Sequence, residues 1–207
     1  MKIILACLFH LSILTNHQTK AIAMQKEQKS TLQTIVLGAG CFWCVEAVYE
    51  QVRGVVKVES GYAGGESINP TYEEVCSGNS NHIEVCKITY DPQYISLHDL
   101  LLIFWEIHDP TTPNRQGNDI GTQYQSVIFC NNETELKLAR EMKTERNASK
   151  KFANPIVTNI REMAPFYKAE NYHQNYFNSN NSQPYCKFVI QPKLEKFKKT
   201  QTQFLKH

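Results

Sequence analysis

Apolar stretches with strand or helix spacing alternate along most of the chain with short polar stretches rich in Gly, Pro and Asn. Residues 33–37 are mainly β-branched and apolar, which is typical of a strand. Residues 42–52 follow with apolar side chains at helical spacing and without Gly or Pro, which predicts a helix. Gly38 and Gly40 stand between the two and let the backbone turn sharply. The pattern therefore predicts a strand–turn–helix unit in which Cys41 opens the helix.

The same pattern divides the rest of the chain into further strands and helices. It predicts strands at 54–63, 82–90, 124–129 and 155–160, and helices within 69–78 and at 96–105, 133–151, 170–177 and after 192. The order β-α-β-β-α-β, followed by α-β, is that of an α+β two-layer sandwich with a ferredoxin-like (split βαβ) core. An irregular loop at 109–122 and an Asn-rich linker at 178–184 separate some of these elements. Irregular loops of this length in a compact domain are usually functional.

The first 23 residues have the three-part pattern of an export signal. Lys2 precedes an apolar run at 3–14, a polar patch follows at 16–20, and Ala21-Ile22-Ala23 supplies a small-x-small cleavage site. We therefore expect residues 1–23 to be cleaved and the protein to be periplasmic or secreted. The remainder, 24–207, is expected to form a single domain.

Composition narrows the classes of function. Of the 207 residues, 22 are Lys or Arg and 20 are Asp or Glu, and removing residues 1–23 takes away two lysines and no acid. No global basic excess remains to hold nucleic acid. Six of the seven cysteines lie after the export signal, at irregular spacing and without a second C-x-x-C, so a metal site is not expected. Cys86 and Cys130 are expected to be buried and inert.

Cys41 is the strongest candidate for a chemical role. Unpaired N–H groups and the positive end of the macrodipole stabilise an anion at a helix N-terminus. A thiol there is expected to have a pKa below the free value of roughly 8.5. Cys41 is therefore a candidate nucleophile before any family is considered.

Glu84 and two aromatic residues complete the candidate site. Alternation along the strand 82–90 places Glu84 on a face with apolar neighbours, where burial favours the acid form of a carboxyl group. Phe42 and Trp43 directly follow Cys41 and either pack in the core or form an apolar wall for a small group.

Four classes of function remain open from these residues alone. The first is a redox enzyme whose thiolate attacks an oxidised sulfur. The second is a thioredoxin-like exchanger using Cys41 and Cys44, which the strand order after the helix disfavours. The third is a cysteine hydrolase with His108 or His173 as base, which is disfavoured because neither histidine has a clear orienting acid. The fourth is a binding module without catalysis.

Several ordered motifs resemble peptide methionine sulfoxide reductase A over about residues 33 to 198. They are GCFW at 40–43, GYAGG at 61–65, NPTYEEVCSG at 69–78, HIEV at 82–85, the long segment 104–124 and APFY at 164–167. Such a series is far more specific than a single C-x-x-C. The resemblance implies reduction of methionine-S-sulfoxide, free and in proteins, as a repair of oxidative damage.

The resemblance also implies roles for individual residues. Cys41 matches the nucleophile that attacks the sulfoxide sulfur, and Glu84 matches the acid that protonates the departing oxygen. Tyr72 and Tyr124 match the phenols that hold this oxygen, with Asp119 supporting the site. Phe42 and Trp43 match the pocket for the methyl group.

Recycling of the enzyme is the part of the resemblance that departs from the family pattern. The family implies that a second cysteine converts the Cys41 sulfenic acid to a disulfide, which a thioredoxin-type dithiol reduces. Many members have Gly in place of Cys44, and only Cys186 follows the linker here. A mobile linker would let Cys186 approach Cys41, so we expect Cys186 to resolve the sulfenic acid, with Cys44 as the alternative. No metal or organic cofactor is implied, and a monomer is expected.

Overall fold

A six-stranded sheet lies at the centre of the computed structural model, which describes residues 31–206. The predicted export signal lies outside the described residues. The described strands are β1 (Gln33–Ala39), β2 (Val55–Ala63), β3 (Ile83–Tyr90), β4 (Arg115–Gln116), β5 (Asp119–Ile120), β6 (Ser126–Cys130), β7 (Asn159–Glu162) and β8 (Phe166–Lys168). The short strands β4 and β5 pair with each other in a separate two-stranded sheet. The helices are α1 (Phe42–Tyr49), α2 (Tyr72–Cys76), α3 (Leu97–Ile107), α4 (Glu133–Ala148), α5 (Tyr176–Ser179) and α6 (Gln191–Thr200), with a π-helical turn at Cys186–Ile190.

The strand order in the sheet is β7-β6-β1-β3-β2-β8. Strand β3 lies antiparallel between β1 and β2, and β1 lies antiparallel between β3 and β6. Helix α1 therefore connects β1 to β2, which are separated in the sheet by β3. Helix α3 lies in the connection from β3 to β6, which are separated by β1. Only β6 and β7 pair in parallel among the described strands. The architecture is a mixed α/β fold.

Both faces of the sheet are covered, so its central strands are buried on two sides. The larger core combines side chains of β1 and β3 with those of α1, α3, α4 and α6. A smaller core on the opposite face contains Val36, Val85 and Phe129, and Phe166 packs against it. Among residues 31–206 we find no helix that is both long and apolar enough to cross a membrane.

Local capping explains where the helices next to the sheet begin. Thr71 and Glu74 form a reciprocal capping box at α2, and Ser96 and Asp99 form another at α3. The start predicted for the helix at 96–105 is therefore confirmed, with Ser96 as its N-cap.

The strand predicted at 155–160 begins only at Asn159 and extends to Glu162. The backbone amide of Ile156 donates to Asn147 Oδ1 at 2.9 Å, and that of Val157 donates to the Pro110 carbonyl at 2.9 Å. These amides therefore bond outside the sheet, which apolar alternation cannot reveal.

The helix predicted at 170–177 was also wrong in its extent. A turn at Asn171–His173 and the short α5 stand in its place, separated by Asn175 in a left-handed conformation with φ 51°. The side chain of Gln174 bonds to the backbone of Ser60 in β2, and so ties this break to the sheet. Strand β8 was not predicted; it lies so close to β2 that a Cβ at Gly61 would be 2.4 Å from the Phe166 ring.

Candidate active site

Cys41 lies at the N-cap of α1, directly after the turn that leaves β1. Gly40 permits this turn because it has φ 86°, and a Cβ at this position would be 2.5 Å from the Gln116 side chain. Cys41 is only 4% exposed. The predicted strand–turn–helix unit is confirmed, but the nucleophile is buried rather than presented openly.

The expected low pKa of Cys41 is wrong for this structure. Burial raises the pKa of the Cys41 thiol well above its ordinary value, and the neighbouring Cys44 and Glu84 raise it further. The first backbone amide of the helix, that of Phe42, donates to Glu84 Oε2 at 3.0 Å. The amide at the N-terminus of the helix therefore binds the carboxyl group of Glu84 and not the thiol of Cys41. Sequence spacing alone could not show this.

Glu84 lies on β3 and is 2% exposed. Burial raises its pKa to about 8, although the hydrogen bond from the Phe42 amide partly opposes the shift. The predicted preference for the acid form is confirmed. The carboxyl group thus carries a proton at neutral pH and accepts from the amide of the residue that directly follows the nucleophile.

The phenols of Tyr72 and Tyr124 lie near enough to Glu84 for its charge to act on both. Tyr72 opens α2, and Tyr124 ends a short helical turn after β5. Burial raises the pKa of both phenols, and the charge of Glu84 raises each further. Both phenols are therefore hydrogen-bond donors at neutral pH. Asp119 acts on the pKa of Glu84 and of Tyr124, which places it at the same site.

Phe42 and Trp43 form an aromatic wall, but the two rings differ in exposure. Phe42 is fully buried in the core, with its ring 5.8 Å from that of Trp43. Trp43 is half-buried and stacks on Tyr176 with ring centres 3.7 Å apart. The indole N–H of Trp43 donates to His173 Nδ1 at 3.2 Å. The position of Trp43 is thus fixed by residues of the C-terminal segment.

Two residues at the site, Glu170 and Tyr185, have no role in the sequence-based prediction. Glu170 accepts from the Tyr62 hydroxyl at 2.8 Å and from the Tyr72 amide at 3.0 Å, so it anchors the start of α2. Tyr185 donates its hydroxyl to Asp119 Oδ2 at 2.8 Å and interacts with the Cys41 thiol. No local pattern marks these residues, because their contacts bridge distant parts of the chain.

The two histidines proposed for a hydrolase do not serve Cys41. The ring of His108 is buried, with Nδ1 2.7 Å from the Phe104 carbonyl and Nε2 2.7 Å from Ser126 Oγ. Burial lowers its pKa to about 4, so the ring is neutral. His173 holds the Trp43 indole instead. Neither of these two histidines is therefore placed to act as the base of a hydrolase.

Three cysteines, including the nucleophile, lie close together in the structure. Cys41, Cys44 and Cys186 are all buried in one small cluster. Cys186 is fully buried in the helical turn before α6, close enough to Cys44 for their charges to interact. Lys193 Nζ lies 3.6 Å from Cys44 Sγ. Both candidate resolving thiols are thus at the site, and Cys44 adjoins the nucleophile. Cys86 and Cys130 are buried, as predicted.

Comparison with known proteins identifies what this geometry resembles. The family described as peptide methionine sulfoxide reductase matches residues 33–205. The peptide methionine sulfoxide reductase MsrA of Trichodesmium erythraeum is 55% identical over 168 residues, which are 81% of this chain and 95% of that protein. The high share of both chains means that the similarity covers the whole fold and not one motif.

Solved structures agree with the sequence comparison. Mxr1 from Saccharomyces cerevisiae in reduced form is 35% identical and matches with a TM-score of 0.70, over 78% of this chain and 92% of that one. Mxr1 in complex with Trx2 is 28% identical and matches with a TM-score of 0.50, over 73% and 88%. These matches favour a reductase over a thioredoxin-like exchanger. From its sequence, its fold and the residues around Cys41, this chain belongs to the peptide methionine sulfoxide reductase family.

Proposed function

We propose that this protein reduces methionine-S-sulfoxide, free and in proteins, to methionine, with Cys41 as nucleophile and Glu84 as general acid. The Cys41 sulfur attacks the sulfoxide sulfur while Glu84 delivers its proton to the sulfoxide oxygen. The attack forms a bond between the two sulfur atoms, and the thiol proton of Cys41 replaces the one that Glu84 gives up. The protonated oxygen then passes to Cys41, the S–O and S–S bonds to the substrate sulfur both break, and methionine leaves while Cys41 holds a sulfenic acid. The substrate sulfur is reduced by two electrons and Cys41 is oxidised by the same two.

One observation carries this proposal: a carboxyl group with a pKa of about 8 lies beside the nucleophile. A sulfoxide oxygen becomes a good leaving group only when it gains a proton, and an acid must hold that proton at the working pH. An ordinary glutamate would be ionised at neutral pH and could not supply it. The buried Glu84 can.

The remaining residues of the site are proposed to position the sulfoxide. Tyr72 and Tyr124 donate hydrogen bonds to its oxygen, and Asp119 supports them. Trp43, with Phe42 behind it, contacts the methyl group. A wall of this kind accepts the small apolar end of methionine but gives no contact to a charged one.

Recycling is proposed to use a second thiol and then an external dithiol. Cys186 and Cys44 are the two candidates, and either would turn the sulfenic acid into a disulfide. The complex of the related Mxr1 with Trx2 supports a thioredoxin-like reductant for this chain. The enzyme then needs no bound cofactor, because all electrons pass through cysteine sulfur.

We also propose that the fold has a ferredoxin-like core and that the protein is exported. The order β6-β1-β3-β2 with two crossing helices supports a ferredoxin-like core. The pattern at 1–23 supports export and cleavage. N-terminal sequencing of natively expressed protein should then begin near Met24, and an intact Met1 in a cytoplasmic fraction would refute export.

The proposed activity is tested by incubating the protein with each epimer of a blocked methionine sulfoxide and dithiothreitol. We expect consumption of the S epimer alone. Consumption of neither epimer, together with thiol-dependent reduction of insulin, would favour the exchanger that uses Cys41 and Cys44.

A further inference from the structure

Lys193 differs from the other lysines of α6 in where its side chain ends. The basic residues near the C-terminus, such as Lys196 and Lys198, are exposed to solvent. Lys193 is half-buried, and its ammonium group lies 3.6 Å from Cys44 Sγ. An ammonium at this distance stabilises a thiolate over a thiol. This residue has no part in the attack on the sulfoxide described above.

Cys44 interacts with both other thiols of the cysteine cluster. It lies three residues after Cys41, and the Cys41 and Cys44 thiols are within hydrogen-bonding reach of each other. The charge of Cys44 also reaches Cys186. A sulfenic acid formed on Cys41 therefore lies beside the Cys44 thiol.

We propose that Lys193 holds Cys44 as the thiolate that resolves the sulfenic acid on Cys41, so that Cys44 acts before Cys186. The proposal rests on the function proposed above. The Cys44 thiolate attacks the Cys41 sulfur, the S–O bond of the sulfenic acid breaks, and the oxygen leaves as hydroxide, which takes a proton to form water. The new bond is a Cys41–Cys44 disulfide, in which Cys44 is oxidised and Cys41 is reduced.

Once Cys41 is oxidised, stabilisation of the Cys44 thiolate depends on Lys193. In the reduced enzyme the pKa of Cys44 is lowered chiefly by the Cys41 thiol, against the effect of burial, and Lys193 lowers it further. Once Cys41 is a sulfenic acid, its thiol no longer exists. The ammonium of Lys193 is the stabilising group that persists when Cys44 must attack.

The other titratable groups around Cys44 do not replace Lys193. Among the described residues, five other titratable groups interact electrostatically with Cys44. They come from the start of α1, from β3 and β5, and from the C-terminal segment: Cys41, Glu84, Asp119, Tyr185 and Cys186. Each of these groups is neutral or negative. Asp119 in particular raises the pKa of Cys44. Lys193 supplies the positive charge that acts on Cys44.

The test compares Lys193→Met with Lys193→Arg and with Lys196→Met. Met keeps the length of the side chain and removes its charge, Arg restores the charge, and Lys196 is the exposed neighbour on the same helix. One equivalent of methionine-S-sulfoxide is added without reductant. Methionine formation, the decay of the sulfenic acid and the loss of free thiols are followed over time from pH 6 to pH 9.5.

We expect Lys193→Met to form its first methionine at the wild-type rate and to resolve its sulfenic acid more slowly. A rise of one unit in the pKa of an attacking thiol reduces the thiolate about tenfold and raises its nucleophilicity about threefold, a net slowing of about threefold at neutral pH. The deficit should vanish near pH 9.5, where the thiolate forms without help. Lys193→Arg should restore most of the rate, and Lys196→Met should match the wild type.

Peptide mapping of the wild type at the earliest times should show Cys41 linked to Cys44. A resolution rate and pH profile unchanged in Lys193→Met would overturn the proposal, as would a first disulfide between Cys41 and Cys186. A variant slowed equally at every pH would show a structural role and would also contradict it. If instead the wild type formed no methionine at all, the proposed function itself would fail, which is a separate result.

Discussion

The two sides of Cys41 are built from different parts of the chain and have opposite electrostatics. The oxygen side consists of Glu84, Tyr72 and Tyr124, whose pKa values are all raised by burial, so that each holds its proton. The thiol side consists of Cys44, Cys186 and Lys193, where the pKa of Cys44 is lowered although burial raises that of Cys186. The oxygen side is suited to give protons and the thiol side to give electrons. The difference assigns the two halves of a redox cycle to different residues around one nucleophile.

The largest expected effect is at Cys41, which both sides share. Cys41→Ser should abolish reduction of methionine-S-sulfoxide even with excess dithiothreitol, because a hydroxyl cannot take the place of the attacking sulfur. Turnover is measured as methionine released, with circular dichroism as a check on folding. Turnover at the wild-type rate in this variant would show that Cys41 is not the nucleophile.

The next effect isolates the oxygen side. Glu84→Gln keeps the shape but loses the acid, so formation of the sulfenic acid should slow by about 10²-fold. The wild-type rate should fall as the pH rises through about 8, where Glu84 loses its proton, and the variant should lack this alkaline limb. Single-turnover rates from pH 6 to pH 9.5 give both numbers. Identical rates in the two proteins across this range would exclude Glu84 as the acid.

A substitution on the thiol side should leave formation of the sulfenic acid unchanged and slow the recycling of the enzyme. Cys44→Ser should release about one methionine per chain at the normal rate and then cycle with thioredoxin at least about tenfold more slowly, because its sulfenic acid has lost the adjacent thiol. Counting methionine with and without thioredoxin separates the two phases. Normal cycling in this variant, together with a loss in Cys186→Ser, would return the resolving role to Cys186.

The smallest effect concerns stability and again involves the oxygen side. The pKa of Glu84 is raised from 4.5 to about 8, so between these values the folded state keeps a proton that the unfolded state has released. Stability contributed by this proton is present at low pH and is lost as the pH rises through this window, by an amount of order a few kcal/mol. Glu84→Gln should therefore lose less thermal stability than the wild type between pH 5 and pH 8. Parallel melting curves of the two proteins would contradict this.

The oxygen side could be predicted from the sequence, whereas most of the thiol side could not. Cys41 and Glu84 lie on regular elements whose periodicity gives their position and, for Glu84, its burial. The ionisation of Cys41 was predicted wrongly because its burial depends on the C-terminal segment, and Tyr185 and Lys193 approach from more than a hundred residues away. Local patterns contain no signal for such contacts. The same reason explains why the helix predicted at 170–177 was wrong in its extent, because contacts with β2 interrupt it.

A single turnover without reductant tests the central claim, that one thiol takes the oxygen and a second removes it. Reduced enzyme is mixed with excess methionine-S-sulfoxide, and released methionine and free thiols are counted in the same sample. We expect about one methionine per chain and the loss of two thiols, with Cys41 in the resulting disulfide. Methionine released without any change at Cys41, or two thiols lost without methionine, would contradict the account.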